Sequence, residues 1–301
     1  MKVQANGISI ELEDTGADGS QQDRPAVLLI MGLGMQLIAW PPAFIRALAG
    51  AGYRVLRLDN RDAGLSEHFD QLGSPNLVWT SLKHKLGLRV RPPYALSDMA
   101  VDAVGVLDAL GIRQAHVVGV SMGAMIGQRI AIAAPGRVSS LTSIMSSSGA
   151  RHLPGPRPDV LRALLGKPAD RSEKAVVDHT VRLFQLIGSP GYPLDGTTLA
   201  DGVLASMRRS FHPVGTLRQM VAVVADHSRA DALATIKAPT LVVHGRDDPL
   251  VPYACGVDTA RRIAGARLVG VPGMGHDLAP GVVERILEPL LPHLESARRF
   301  A

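Results

Sequence analysis

A serine, an aspartate and a histidine, at three separate places in this sequence, could together perform acyl transfer. Gly119-Val120-Ser121-Met122-Gly123 is a G-x-S-x-G pattern. It falls between an apolar run that reads as a strand and a stretch that reads as a helix, the context of a nucleophile elbow. A strained strand-to-helix turn would lift the hydroxyl above a sheet, and the glycines two before and two after would let neighbouring backbone pass closely. The turn would also set the Met122 N–H at the start of a helix, where backbone donors favour negative charge.

A serine hydroxyl is a poor nucleophile until a base takes its proton. The chain has ten histidines, so most are bystanders. His276 follows the turn Val271-Pro272-Gly273-Met274-Gly275, directly after an apolar run, where a loop at a strand end can present a side chain over the sheet. His244 ends a strand before Gly245 and reads as a local packing or hydrogen-bonding residue. His116 begins a buried strand. His68, His84, His152, His179, His212, His227 and His293 lie in polar or helical surroundings without a supporting pattern. The base needs a carboxylate to hold its tautomer. Asp247 and Asp248 both follow a strand. Asp248 is favoured because Pro249 fixes the backbone just after it, and Asp247 then reads as a loop-capping residue. The remaining requirement is an oxyanion hole. The Met122 N–H supplies one donor. The second is expected from the glycine-rich loop Gly32-Leu33-Gly34-Met35, with Leu33 the chosen donor.

The order Ser121, Asp248, His276 is the α/β-hydrolase order, distinct from the two protease orders. The elbow, the Asp248 loop and Gly275-His276 resemble the α/β-hydrolase superfamily across nearly the whole chain. Three stretches narrow the resemblance: Met31-Gly32-Leu33-Gly34-Met35 with Trp40-Pro41; Asp59-Asn60-Arg61-Asp62-Ala63-Gly64-Leu65-Ser66; and His116 through Ala124. Together they resemble the aclacinomycin methylesterase-like bacterial esterases. The resemblance implies Ser121, Asp248 and His276 as a triad, Leu33 and Met122 as oxyanion donors, and no metal or other cofactor. Many superfamily members carry His-Gly where this chain has Met31-Gly32, so any side-chain role of that histidine is absent here. The Asp59–Ser66 segment reads as a turn pinned by its own local hydrogen bonds.

The elements that must position these residues alternate. An Asn6-Gly7 hairpin opens the chain. Strands are expected at 26–31, 53–58, 115–120, 138–145, 239–244 and 266–271. Helices are expected at 97–110 (Ser97 as N-cap, Gly111 just past the end), 122–134, about 254–263 and about 280–294. Repeated strand–helix units imply a mostly parallel, eight-stranded α/β-hydrolase sheet flanked by helices. Residues 146–236 break the rhythm with helical patterns and no strand. They read as a helical cap inserted into a core made of 1–145 and 237–301. Six of the ten methionines, Met31, Met35, Met122, Met125, Met145 and Met274, flank the site loops. With Gly32 and Gly34 they suggest an apolar substrate pocket, since methionine adapts its shape; ordinary burial of methionine at strand ends would explain them equally well.

Composition removes other classes. The charge of +5 is spread over isolated pairs (Arg208-Arg209, Arg261-Arg262, Arg298-Arg299), and aromatics are 4%. A nucleic-acid binder would gather its cations among aromatics. One cysteine, Cys255, precludes an intrachain disulfide and fits a reducing compartment. No signal peptide and no membrane span is visible. The expectation is a cytoplasmic monomer or homodimer acting on a small-molecule ester, without nucleic-acid or membrane partners. A C–C bond hydrolase or a perhydrolase would use the same triad. A ligand receptor is disfavoured because no triad member is missing. Dehalogenases and epoxide hydrolases use an aspartate nucleophile, and Ser121 argues against both.

Overall fold

The computed structural model describes residues 1–298, so Arg299 of the third basic pair lies outside it. The side chains of Val78, His84 and Lys85 also lie outside the description. Strands β1 (Lys2–Ala5) and β2 (Ile8–Asp14) form an antiparallel hairpin. Its turn has φ of 52° at Asn6 and 78° at Gly7, the left-handed pair that matches the twist of hairpin strands. Then follow β3 (Ala26–Ile30), helix α1 (Pro42–Gly50), β4 (Arg54–Leu58), α2 (Leu77–Lys85), α3 (Leu96–Ala109), β5 (Ala115–Val120), α4 (Met122–Ala133) and β6 (Val138–Ile144). Five helices precede the next strand: α5 (Pro158–Leu164), α6 (Glu173–Ile187), α7 (Gly196–Arg209), α8 (Pro213–Ala225) and α9 (Arg229–Ala232). The chain ends with β7 (Thr240–Gly245), α10 (Tyr253–Arg262), β8 (Arg267–Val271) and α11 (Pro280–Arg298).

The eight strands form one sheet in the order β1-β2-β4-β3-β5-β6-β7-β8. Pairing is parallel from β4 onward through β8. β3, β5 and β7 are buried at every residue, which explains their continuous apolar runs: helices cover both faces, so no alternation survives. On one face α3 and α4 pack Leu96, Met99, Val106 and Ile126 against Leu28, Ile30 and Val117. On the other, α1 and α11 pack Phe44, Leu48, Val282, Ile286 and Leu290 against Val27, Leu29 and Val243. Among the described residues no helix is long and apolar enough to cross a membrane.

Two readings are corrected. Ser97 is not the N-cap of α3. The helix starts at Leu96, the cap position is Ala95, and Asp98 accepts the Ala95 N–H at 2.8 Å. An alanine cap has no side-chain acceptor for the first-turn N–H groups, and the bond from the Ala95 N–H to Asp98 is the reciprocal half of a capping box. The last helix continues past residue 294 to Arg298, with Pro289 and Pro292 inside it. The sequence reading also left out α1 and α2. α1 begins behind Pro41-Pro42. α2 begins behind Asn76, whose side chain accepts the Trp79 N–H at 2.9 Å, an ordinary Asx cap.

Candidate active site

Ser121 joins β5 to α4 at φ 54° and ψ −118°, a conformation that costs a non-glycine residue about 1–3 kcal/mol. The surroundings over-determine it. A Cβ at Gly119 would run into the backbone of Gly123 and Ala124. One at Gly123 would run into the Ile30 carbonyl, with the Met31 oxygen 2.7 Å away. Only glycine lets the start of α4 cross β3 and β5 so closely. The Ser121 N–H bonds Ile144 O at 2.9 Å. The Ser146 hydroxyl donates to Ser121 O at 2.7 Å.

The Ser121 hydroxyl points at a histidine. His276 Nε2 is 3.1 Å from Ser121 Oγ, and His276 Nδ1 is 2.7 Å from Asp248 Oδ2. The other carboxylate oxygen accepts the N–H groups of Leu250 (2.9 Å) and Val251 (2.8 Å). Asp248 therefore has one oxygen fixed by its own loop and one left for the imidazole, in a pocket where it is 6% exposed. With Nδ1 donating to Asp248, Nε2 carries the lone pair facing Ser121. Asp247 ties the loops together: its carboxylate accepts the Gly273 N–H at 2.7 Å. His244 lies fully buried behind Asp248 and donates through Nε2 to Val251 O at 2.7 Å. Burial pushes its pKa below the ordinary value, so it stays neutral and holds the loop.

The loop after β3 lies against the serine. A Cβ on Gly32 would sit 3.3 Å from Ser121 Cβ. As first residue of α4, Met122 has no carbonyl four residues back within the helix, so its N–H is free of the helical ladder. Residues of α7 and α8 hold the loop in place. Gln219 of α8 accepts the Gly34 N–H (2.8 Å) and donates to Arg61 O (2.8 Å). Gln36 donates to Ser206 O (2.8 Å) and accepts from Arg209 of α7 (2.7 Å), which also reaches Asp59 (2.7 Å). Arg218 binds Asp62 through two hydrogen bonds of 2.7 and 2.8 Å, with both side chains fully buried. Burial alone would raise the Asp62 pKa, but the Arg218 bonds prevail and hold it below the ordinary carboxylate value.

The histidine loop is clasped by the turn after α6. Ile187 O accepts the His276 N–H at 2.7 Å. The Ser189 hydroxyl accepts the Gly275 N–H (2.9 Å) and donates to Asp277 (2.6 Å).

The sequence of residues 25–279 matches the family model described as "alpha/beta hydrolase fold". The chain belongs to the alpha/beta hydrolase fold family. It is 30% identical to rhodomycin D methylesterase DauP of Streptomyces sp. (strain C5), over 93% of both chains. It is 28% identical to a putative carbamate hydrolase, RutD, of Variovorax paradoxus (strain S110), over 84% of this chain and 85% of that one. Its structure superposes on a meta-cleavage product hydrolase from Pseudomonas fluorescens IP01 with a TM-score of 0.74 and 19% identity, over 99% of this chain and 98% of that one. The last likeness speaks to fold.

In this hydrolase the remaining sequence-predicted site residues scatter. Leu33, Gly34 and Met35 are partly exposed beside Ser121's loop. Gly34 faces α8 at φ 67°, where a Cβ would meet the Thr216 hydroxyl at 2.7 Å. Met125 and Met145 are 8% and 1% exposed and pack into opposite cores. Met31, Met122 and Met274 are also core residues. Only Met35 keeps partial exposure, so core packing accounts for most of the methionine cluster. The Asp59–Ser66 segment has local bonds, Leu65 N–H to Asp59 at 2.9 Å among them, but its long-range bonds to α7 and α8 were not anticipated. Ser189, Gln219, Gln36, Arg209 and Ser146 carry no motif, and only their positions in the fold reveal them.

Among the described residues one group has metal-ligand chemistry: His68, Asp70 and His212. Its geometry does not fit an ion. The two imidazoles stack face to face at 3.9 Å with 5° between planes, so their in-plane lone pairs do not converge. Arg218 lies 2.9 Å from His212 Nε2, where a cation would sit.

Proposed function

We propose that this hydrolase cleaves carboxylic esters, with apolar acyl groups or methyl or aryl alcohols, through an acyl-enzyme. The observation that carries the reading is the unbroken line Ser121 Oγ, His276 Nε2, His276 Nδ1, Asp248 Oδ2, with steps of 3.1 and 2.7 Å. His276 takes the Ser121 proton as Oγ attacks the ester carbonyl. The tetrahedral oxyanion is held by the N–H groups of Leu33 and Met122, each worth roughly 3 kcal/mol when aimed at the developing charge. The carbon–oxygen bond to the alcohol breaks, and the alcohol leaves with the proton from His276. Water, deprotonated by the same imidazole, then attacks the acyl-enzyme and releases the acid. Asp248 stays ionised throughout and stabilises the imidazolium. Methylester cleavage in the rhodomycin D relatives supports an ester as the substrate class. The Ser121–His276 geometry supports serine as nucleophile.

The test is hydrolysis of p-nitrophenyl esters across acyl lengths, wild type against Ser121→Ala. Loss of kcat by about 10⁴-fold or more is expected, together with covalent labelling of the wild type alone by a serine-directed phosphonate. Equal turnover by Ser121→Ala would refute the mechanism. A labelled wild type inert on every ester but active on a vinylogous diketone would reassign it to C–C hydrolysis.

A further inference from the structure

Eleven large apolar side chains are exposed among the described residues, and five of them fall between residues 72 and 88: Leu72, Trp79, Leu82, Leu86 and Leu88, at 43–63% exposure. In α2, Trp79, Leu82 and Lys83 fall at helical spacing (i, i+3, i+4), and Leu86 follows at i+7 just past its end, so they share one face. Beside them runs a shallow groove of about 320 Å³, lined among others by Leu72, Trp79, Lys83, Val90, Arg91 and Val221. Contiguous apolar surface of this kind marks a docking face.

Its charge selects the occupant. Residues 71–97 contain four lysines or arginines and no aspartate or glutamate. Lys83 lies over the Trp79 ring at 5.3 Å, and Arg89 and Arg91 are exposed beside Leu88. At the margin, Asp70 is within ion-pair distance of both Arg218 and His212. The face is thus apolar and cationic together. Protein interfaces deplete lysine at their cores. A second copy would set this face's cations against its own across a two-fold axis. A bilayer with anionic headgroups satisfies both halves: tryptophan and leucine enter the headgroup–acyl boundary, and lysine and arginine stay at phosphate level.

We propose that α2 and the loop through Arg91 dock this hydrolase on the surface of anionic lipid bilayers. The sequence-based expectation of no membrane partner rests on the lack of a spanning segment, and surface docking needs none. The proposal is independent of the ester-cleavage reading.

The protein carries its own reporter. Of its two tryptophans, Trp40 is fully buried and Trp79 is 53% exposed. Titration with vesicles of equal parts phosphatidylglycerol and phosphatidylcholine is expected to shift tryptophan emission to the blue and to sediment the protein with the lipid. Phosphatidylcholine alone is expected to do neither, and added salt to weaken binding. Lys83→Gln and Arg91→Gln should each lower the partition coefficient about five-fold. Leu86→Ser with Leu88→Ser should remove the emission shift at unchanged melting temperature, because both side chains are already exposed. No binding to anionic vesicles overturns the proposal. So does equal binding to both compositions. A blue shift that grows with protein concentration in the absence of lipid overturns it in favour of self-association.

Discussion

The elbow at Ser121 and the loop Gly32–Gln36 lie side by side over the sheet, yet they are held by different means. The elbow is fixed by backbone packing: Gly119 and Gly123 admit β3 and α4 at distances no side chain allows, and the neighbours belong to the central strands. The loop Gly32–Gln36 is fixed by residues 170–185 positions away in sequence, Ser206 and Gln219 among them. One region is rigid because the core is rigid. The other is held by hydrogen bonds with α7 and α8. The helical segment between β6 and β7 therefore acts as a brace, and through Ser189 and Ile187 it holds the histidine loop too.

Gly123→Ala should break the first region outright. The new Cβ meets backbone carbonyls that cannot move cheaply, so a destabilisation above about 4 kcal/mol is expected, read as the denaturant midpoint or as loss of soluble protein. A variant as stable as wild type would mean that the elbow is not held by close packing.

Acid separates the regions next. His116, which begins the elbow strand, and His293 behind it are both pushed down to about 4, chiefly by burial. Their folded pKa values lie below the unfolded value near 6.5, so the unfolded chain binds more protons between about pH 6.5 and 4. Stability should fall as pH drops through that window, by at most about 3 kcal/mol per histidine, and level off below it. A stability profile flat from pH 7 to pH 4, measured by urea unfolding, would contradict this. His116→Asn should flatten the curve by roughly half.

The smallest effect is the sharpest test of the brace. Gln219→Leu leaves the Gly34 N–H and Arg61 carbonyl without their partner. On the proposed mechanism it should lower kcat about ten- to a hundred-fold with little change in KM, since misplacing the Leu33 N–H acts on the transition state. Unchanged kcat would show that the loop holds its own shape.

The same contrast explains what was legible in the sequence. Strand positions could be read because buried parallel strands are continuously apolar, and the Ser121, Asp248 and His276 loops because each follows such a run. The elbow glycines could be read because the constraint is local. Gln219, Arg209 and Ser189 could not, since a glutamine inside α8 or a serine in a Gly-Ser-Pro-Gly turn looks like any polar surface residue until the fold buries it. Ser97 misled because a favourable cap residue does not by itself set the helix start: α3 begins at Leu96, behind Ala95, whose N–H goes to Asp98. The methionines could not be assigned from composition, because apolar lining and apolar core draw on the same residues.

The double clasp at residues 187–219 bears on redesign by recombination. Helix α5 and most of α6 make local side-chain hydrogen bonds, such as Lys174 to Asp178, and can be exchanged with a relative's segment. The stretch from Ile187 to Gln219 cannot travel alone. Grafted into another scaffold it would arrive without Gly34, Asp59 and Asp277, and the recipient would inherit a new roof over a loosened floor.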